Sequence, residues 1–462
     1  MEPIRLSEIV QAVGGSFGFP QNMDTMITAV STDTRTIGKN SVFIALKGDK
    51  FDGHDYGAKA AELGAEAVIA ERPVEGAKCI IVDSTHRALQ ALAHYYRKKF
   101  DIPVVGVTGS VGKTTTKDMI ALVVSKKYNT VKTEGNLNNE IGLPKTLFGI
   151  DSTTEAAVIE MGMNHFGEIS RLSMCCEPTI AVITNIGHSH IEYLGSREGI
   201  LKAKMEILDG ADYTAPLVLP LEDKLLSTIE PRHGRRIVFC STQGAGKGKK
   251  KKPDVWAADI VPDPEGFSFT IGYEGGSVPA RINCLGEHNI ANALIAFAVG
   301  QLLDIEPEKM AEAIAEFKPQ GIRQNIRSVR GMTFIVDCYN AAPDSIKAAL
   351  SALGQTAVPE GGRRIAVLSD MLELGAKSKT LHKLAGEYVG ASKAELLYCC
   401  GEDAKNYVEG AVKKGMAPEN CRYFESKDEM TEALKAELHE GDAVLFKASR
   451  GMQLESAVNA LE

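Results

Sequence analysis

Short apolar runs alternate along this chain with longer stretches of helical spacing, and the alternation predicts where strands and helices fall. The runs IPVVGV (102–107), AAVIEMG (156–162) and TIAVITNIG (179–187) each close on glycine or a polar cluster, and KTTTKDMIALVVSKK (113–127) between them reads as a helix. Apolar strands separated by helices are the signature of a parallel sheet with crossover helices. After the break at EFKPQG (316–321) the pattern returns in TFIVDCYN (333–340), RRIAVLSDM (363–371), AELLYCCG (394–401) and DAVLFKASRG (442–451), which predicts a further, doubly wound unit. Ahead of Pro103, the first hundred or so residues mix short strand-like runs with one long helical stretch, ALQALAHYYRKKF (88–100). The expected organisation is α/β in three units, 1–100, 101–318 and 319–462, with a parallel sheet at the centre. No fixed-period repeat is present, which argues against a solenoid.

A chain of 462 residues is long enough to bury several cores, and 44% hydrophobic with 24% charged residues is ordinary for a globular protein. A formal net charge of −8 gives no basic footprint, so nucleic acid is not an expected partner. The one basic run, KGKKKKPD (247–254), reads as a solvated loop. Nine cysteines occur without C-x-x-C spacing, and the adjacent pairs Cys175–Cys176 and Cys399–Cys400 are poor disulfide partners. Reduced thiols in a cytoplasm are expected, and no zinc site. The start MEPIRLSEIV lacks the form of an export signal. The stretch ANALIAFAVGQLL (291–303) is too short for a membrane span and carries Asn292 and Gln301, as a buried helix can.

The chemistry centres on GVTGSVGKTTTKDM (106–119), a phosphate-loop pattern with Val107 where the usual first glycine would stand. Gly106, Gly109 and Gly112, spaced by three, supply small residues around the same strand-to-helix turn. There, backbone N–H groups of Gly109, Ser110, Val111, Gly112, Lys113, Thr114 and Thr115 and the helix dipole suit a nucleotide's phosphates, with Lys113 directed at the β and γ groups and Thr114 at Mg²⁺. Glu160, at a strand end, suits a metal or its water shell, and equally a helix cap or ion pair. By default His190 is a satisfied polar residue and Lys204 a surface lysine. A nucleotide site alone would serve a kinase, a GTPase, a motor or a ligase.

Nine stretches in order resemble the Mur ligases, the ATP-dependent amide-forming enzymes of peptidoglycan precursor synthesis: residues 31–56, 106–119, TEGNLNNEIGLP (133–144), EMGMNHFGEI (160–169), NIGHSHIEYLGSREGILKAKMEI (185–207), LGEHNIANALIA (285–296), DCYNAAPDSIKAAL (337–350), SDMLELG (369–375) and KASRGMQLE (447–455). The resemblance implies a three-domain architecture: a UDP-sugar-binding first domain, a central P-loop domain on a parallel sheet and a Rossmann-like C-terminal domain. It implies that Ser31, Asp33, Thr34, Arg35, Lys47, Gly48, Asp52, Gly53 and His54 hold the uridine diphosphate end of the substrate, and that Asn136 and Asn139 line its muramoyl and pyrophosphate region. Lys113, Thr114 and Glu160 take the phosphate and magnesium roles. His190 and Lys204 take a second-metal site, with Lys204 carbamylated, so two Mg²⁺ ions are implied. Asn289 and Asn292 match adenine contacts, and Arg323 and Asp337 match residues that bring the third domain onto ATP.

The third-domain motifs lean toward the member that joins D-alanyl-D-alanine to UDP-N-acetylmuramoyl-tripeptide through an acyl phosphate, and the Asp-Asn-Pro-Arg motif of sister ligases that add diaminopimelate is absent. A cytoplasmic monomer without membrane insertion is expected. A sister Mur ligase, a folylpolyglutamate-synthase-like enzyme or an inactive nucleotide-binding relative are the alternatives. Four positions depart from the family pattern: Val111 for Asn or Ser, Cys338 for a second Asp, Ala342 for the second Asn of NANP, and Ser369 for glycine. Because loop N–H groups belong to the backbone, Val111 is expected to leave phosphate binding intact. Ala342 is the more serious departure, since it removes a polar side chain near the nucleotide.

Overall fold

The computed structural model describes residues 1–231, 234–246, 251–319 and 325–462. Gly321, Arg323 and the first part of the basic run at 247–254 lie outside the described residues. Three main sheets follow one another along the chain. The first has five strands in the order Ser16–Phe17, Cys79–Ile81, Ala65–Ala70, Ser41–Ile44 and Ala29–Ser31, parallel except for the short first strand. Its long helix, Thr85–Arg97, begins at Ser84, whose side chain accepts from the Arg87 N–H. That helix ends three residues short of the periodic stretch.

The central sheet has nine strands. Val104–Thr108 lies between Ala156–Glu160 and Ile180–Ile183, all parallel and buried along their whole length. Strands covered on both faces read as unbroken apolar runs, which is why these three were visible in the sequence. Register sets Glu160 beside Val107 and Ile183 beside Thr108, so the ends of all three strands meet where the phosphate loop begins. On one face pack the helices Lys113–Val124 and His288–Leu302; the other face continues into a core shared with Thr85–Arg97 and Glu168–Cys176. The helix expected over 113–127 ends at Val124.

The far side of this sheet is not parallel. Val255–Asp263, Gly266–Tyr273 and Gly276–Ile282 form an antiparallel meander, joined by the pairs Pro264–Glu265 and Glu274–Gly275. Two-residue connections make hairpins, and Gly275 at φ +96° supplies the backbone that one of them needs. No crossover helix fits between such strands, so the α/β alternation stops there.

The third sheet has six strands in the order Asn325–Val329, Met332–Asp337, Ala443–Lys447, Arg364–Ser369, Leu396–Cys400 and Cys421–Phe424, and only the first pair is antiparallel. The last strand returns between two earlier ones, and helices cover both faces: Pro343–Gln355 and Ser378–Gly390 pack on one, Lys427–Glu437 and Glu455–Leu461 on the other. Among the described residues no helix is long and apolar enough to cross a membrane.

Candidate active site

The missing glycine of the loop has a structural explanation. Position 107 is still strand, and the turn starts two residues later at Gly109 (φ +151°), where a Cβ would fall 1.8 Å from Thr184 Oγ1. Gly112 (φ +81°) caps the helix Lys113–Val124. The loop between them is held from the neighbouring strand end: Asn185 Oδ1 accepts from the Val111 N–H (3.0 Å), Asn185 Nδ2 donates to the Val111 carbonyl (2.8 Å), and Thr184 Oγ1 donates to that carbonyl (2.7 Å). The contacts here are made by the Val111 backbone, whose N–H is directed at Asn185 Oδ1 and whose carbonyl is held by Asn185 and Thr184. The Lys113 amine lies across the loop, donating to the carbonyls of Gly109 (2.9 Å) and Ser110 (3.4 Å).

Beside the loop, Glu160 is fully buried, and its two oxygens are oriented separately. Thr114 Oγ1 donates to Oε2 (2.8 Å) and Asn138 Nδ2 to Oε1 (2.7 Å). A hydroxyl and a carboxylate at the start of a phosphate-loop helix are the hard oxygen donors that Mg²⁺ takes. Lys204, on the helix Arg197–Met205, is 2% exposed, against the default of a surface lysine. Burial, and then the nearby Lys113 cation, push its pKa far below the usual lysine range. Lys202 is exposed, its amine 5.7 Å from the centre of the Phe166 ring.

Loop and Glu160 open on a cavity of about 360 Å³, whose opposite wall comes from the third sheet's unit: Asp337, Asn340, Ala342, Ser345 and Lys447. Lys447 is 1% exposed and fixes that wall by donating to Asp337 Oδ2 (2.7 Å) and to the Asn340 carbonyl (2.9 Å). At Ala342 the backbone N–H donates to Ser345 Oγ (3.0 Å), so a hydroxyl one helical turn on meets the backbone there. Cys338 and Ser369 are buried, the latter donating to the Cys400 carbonyl (2.6 Å). His190 also faces the cavity from a left-handed backbone position (φ +61°). Its Nδ1 is 2.6 Å from Glu373 Oε2 of the third unit, and that contact holds the Glu373 carboxyl below its ordinary range.

The cavity therefore gathers Ser110 to Thr115, Asn139, Glu160, His190, Asn292 and Asp337. Gly109, Lys204 and Asn136 are not part of the cavity's lining, and Asn136 is exposed. Asn289 is buried one layer down: its Oδ1 accepts from Asn292 Nδ2 (3.0 Å), and Asn292 Oδ1 accepts from Thr116 Oγ1 (3.0 Å), tying the two helices under the loop. The first-sheet residues form a separate cluster. There Arg35, whose side chain is 87% exposed, pairs with Asp33 (2.6 Å), and the Asp33 carboxyl is held down at about 2, chiefly by Arg35. His54 is buried between Asp52 (2.5 Å at Nδ1) and the Glu71 N–H (2.9 Å at Nε2). A Cβ on Gly53 would meet the Leu46 carbonyl at 2.5 Å. Asp52, Gly53 and His54 thus shape the loop on which Lys47 and Gly48 are exposed. Ser31 and Thr34 are half-buried beside Asp33.

Sequence reasoning overlooked Asn138, Asn185, His288 and Lys447, although each lies inside a stretch that carried the resemblance. His288, half-buried, lines the cavity, and desolvation lowers its pKa to about 4 and keeps its ring neutral.

Comparison with known proteins agrees along the chain. Residues 26–104 match "Mur ligase family, catalytic domain", 107–300 "Mur ligase middle domain", and 323–450 "Mur ligase, glutamate ligase domain". The chain is 41% identical to the UDP-N-acetylmuramoyl-tripeptide–D-alanyl-D-alanine ligase of Bacillus subtilis, covering 99% of this chain and 98% of that protein. The crystal structure of MurF from Acinetobacter baumannii superposes with a TM-score of 0.91 at 30% identity, covering 100% of this chain and 99% of that one. The MurF ligase of Thermotoga maritima in complex with ADP superposes with a TM-score of 0.81 at 28% identity, over 94% and 96% of the chains.

Proposed function

This chain belongs to the Mur ligase family, and on that premise we propose that it joins D-alanyl-D-alanine to the terminal carboxylate of UDP-N-acetylmuramoyl-tripeptide, with ATP as activating reagent. The observation that carries the reading is near-full-length similarity, at 41% identity, to a ligase of that name. The site suits the chemistry. A carboxylate is a poor electrophile, so the γ-phosphoryl group is transferred to it, giving an acyl phosphate and ADP. The amine attacks the acyl carbon, the amine proton is lost, and phosphate leaves from the tetrahedral intermediate. The first-turn N–H groups, the helix dipole and the Lys113 ammonium offset charge on the transferring oxygens, which is most of what such a transfer requires. No side-chain nucleophile is needed.

Thr114 and Glu160 would hold one Mg²⁺, with His190 and a carbamylated Lys204 at a second, and bound Mg²⁺ supplies Lewis-acid neutralisation of phosphate charge. The cavity wall from the third unit, Asp337 with Lys447 behind it, excludes water that would hydrolyse the acyl phosphate. Ser31, Asp33, Thr34, Arg35, Lys47, Gly48, Asp52, Gly53 and His54 are assigned to the uridine diphosphate end. Asn136 and Asn139 are assigned to the muramoyl and pyrophosphate region, and Asn289, Asn292, Arg323 and Asp337 to the nucleotide. We take 1–100, 101–318 and 319–462 as the working domains of a cytoplasmic monomer.

The test is phosphate release from ATP, Mg²⁺ and UDP-N-acetylmuramoyl-tripeptide as the amine is varied. D-alanyl-D-alanine is expected to exceed D-alanine, L-amino acids and glutamate by at least about 100-fold in kcat/KM, since a site built to pair polar groups rejects analogues that lack them. Equal use of a single amino acid would move the chain to a sister activity.

A further inference from the structure

The stretch Thr184–His188, leaving the strand Ile180–Ile183, is pinned along its length. The Thr184 N–H donates to the Thr108 carbonyl (2.9 Å), the Asn185 carbonyl accepts from the Ser110 N–H (3.1 Å), and the Ile186 N–H donates to Asp223 Oδ2 (2.8 Å). Arg197 Nη2 donates to the Ile186 carbonyl (2.7 Å), and the Gly187 N–H donates to Ser110 Oγ (2.9 Å). The next N–H, that of His188, leaves this network. It donates to Asp344 Oδ2 (2.9 Å), and His188 Nδ1 meets the same oxygen at 2.8 Å. Asp344 stands in the first turn of the helix Pro343–Gln355, whose N-terminus carries Ala341 and Ala342 into the cavity. A carboxylate in a first turn is favoured by the helix dipole. Here both of its contacts cross to the unit that holds the phosphate loop.

The approach is close enough to fix a residue type. A Cβ on Gly187 would lie 2.5 Å from Asp344 Oδ2 and 3.2 Å from Ser110 Cβ. Glycine at 187 lets the third unit's carboxylate reach the backbone beside Ser110. The contact is at a rim, with the Asp344 side chain 37% exposed, so it can open without unfolding either unit. Other contacts between the two units, such as Lys377 Nζ donating to the Gly195 carbonyl (2.7 Å), keep them associated if it is lost.

We propose that His188 and Asp344 are a positioning pair for the ligase reaction, a docking latch through which the segment that braces the phosphate loop seats the third unit over the nucleotide, with Gly187 as the glycine that permits it. Neither side chain touches the reacting atoms; they act through Ser110 on one side and Ala341–Ala342 on the other. The inference rests on the ATP-dependent ligase reading above.

The test uses the full chain and six variants: His188→Ala, Asp344→Ala, these two combined, Asp344→Asn, Gly187→Ala, and Gly187→Ala in the Asp344→Ala background. Each alanine variant is expected to lose about tenfold in kcat while KM for ATP stays within about threefold, because the pair supplies charge-assisted bonds to closure and none to the loop itself. The double variant should lose no more than the worse single. Asp344→Asn should recover most of the loss, since its amide oxygen still accepts both N–H groups. Gly187→Ala should cost more in the parent than in the Asp344→Ala background, where the carboxylate it strikes is gone. Wild-type kcat in the alanine variants, additive losses in the double variant, or equal loss in Asp344→Asn and Asp344→Ala would overturn the latch. Small-angle scattering with a non-hydrolysable ATP analogue gives a reading independent of turnover: the alanine variants should be more expanded than the parent, and equal radii of gyration would also overturn it. If the parent releases no phosphate with these substrates, the ligase reading fails by itself, and the scattering comparison decides the latch.

Discussion

An ordinary lysine is hard to keep charged where Lys204 sits. It is buried, and it has no hydrogen-bond or ion-pair partner among the described residues. Burial and the Lys113 cation both disfavour its ammonium form. A lowered pKa favours the neutral amine, and neutral amine is the form that takes up CO₂. A carbamate there would end in anionic oxygens, which would face the Lys113 cation and suit a hard metal ion. Lys204→Ala is therefore expected to lose kcat by about 100-fold, the order seen when one electrostatic stabiliser is removed, and to regain part of it in formate or acetate. Lys202, about 200° around the helix, is exposed, and Lys202→Ala should stay within about twofold. Full activity of Lys204→Ala in CO₂-depleted buffer would end the carbamate assignment.

At the scale of the element, the strand–loop–helix unit depends on a neighbour that its own sequence does not reveal. The apolar run, the glycines and the following helix are local signals, and they locate the loop. Contact between Asn185 and Val111 spans 74 residues and exists because sheet order sets Ile180–Ile183 beside Val104–Thr108. No local pattern encodes that adjacency, so Asn185 was legible only as part of a quoted stretch. Lys204 was illegible for a related reason: Arg197–Met205 carries several charges, and which face turns inward is decided by the elements it meets. The meander at 255–282 is not visible to a pattern of alternating strands and helices, because its two-residue turns leave no room for a helix. Two substitutions test the loop. Gly109→Ala combines a φ of +151° with a Cβ 1.8 Å from Thr184 Oγ1, and should raise KM for ATP at least about tenfold as the loop is displaced. Asn185→Ala removes two bonds worth about 1 kcal/mol each, and should raise KM for ATP several-fold while the melting temperature moves little. Unchanged KM in both variants would show that the loop holds its form without the neighbouring strand.

Over the whole molecule, the first and central units are joined by more than a linker, because one hydrophobic cluster runs from Leu89 and Leu92 through Leu147 to Leu172. Tyr96 reinforces it, its hydroxyl donating to the Ile150 carbonyl (2.5 Å) and accepting from the Glu2 N–H (2.7 Å). The decisive polar group is Arg97, 7% exposed at the end of Thr85–Arg97. Its guanidinium donates to the carbonyls of Cys176 (3.1 Å), Phe100 (2.6 Å) and Ile102 (3.4 Å), and Cys176 is itself the last residue of the helix Glu168–Cys176. One cation thus serves the C-terminal carbonyl of a central-unit helix, where orphan acceptors and the negative dipole end favour it, and two carbonyls of the segment that leaves the first unit. Burial lowers its pKa, yet an arginine stays protonated. Arg97→Leu keeps much of the apolar volume but leaves buried carbonyls unmet, which costs about 3 kcal/mol. In a unit of this size that is a fall of roughly 6–12 °C in the calorimetric transition to which the first and central units contribute. Arg97→Lys, with one compact donor group in place of the fork, should recover only part of it. Since Arg97 stands outside the cavity, phosphate release at 25 °C should remain within about twofold of the parent in both variants. A melting profile unchanged by Arg97→Leu would mean that the apolar cluster alone holds the two units together.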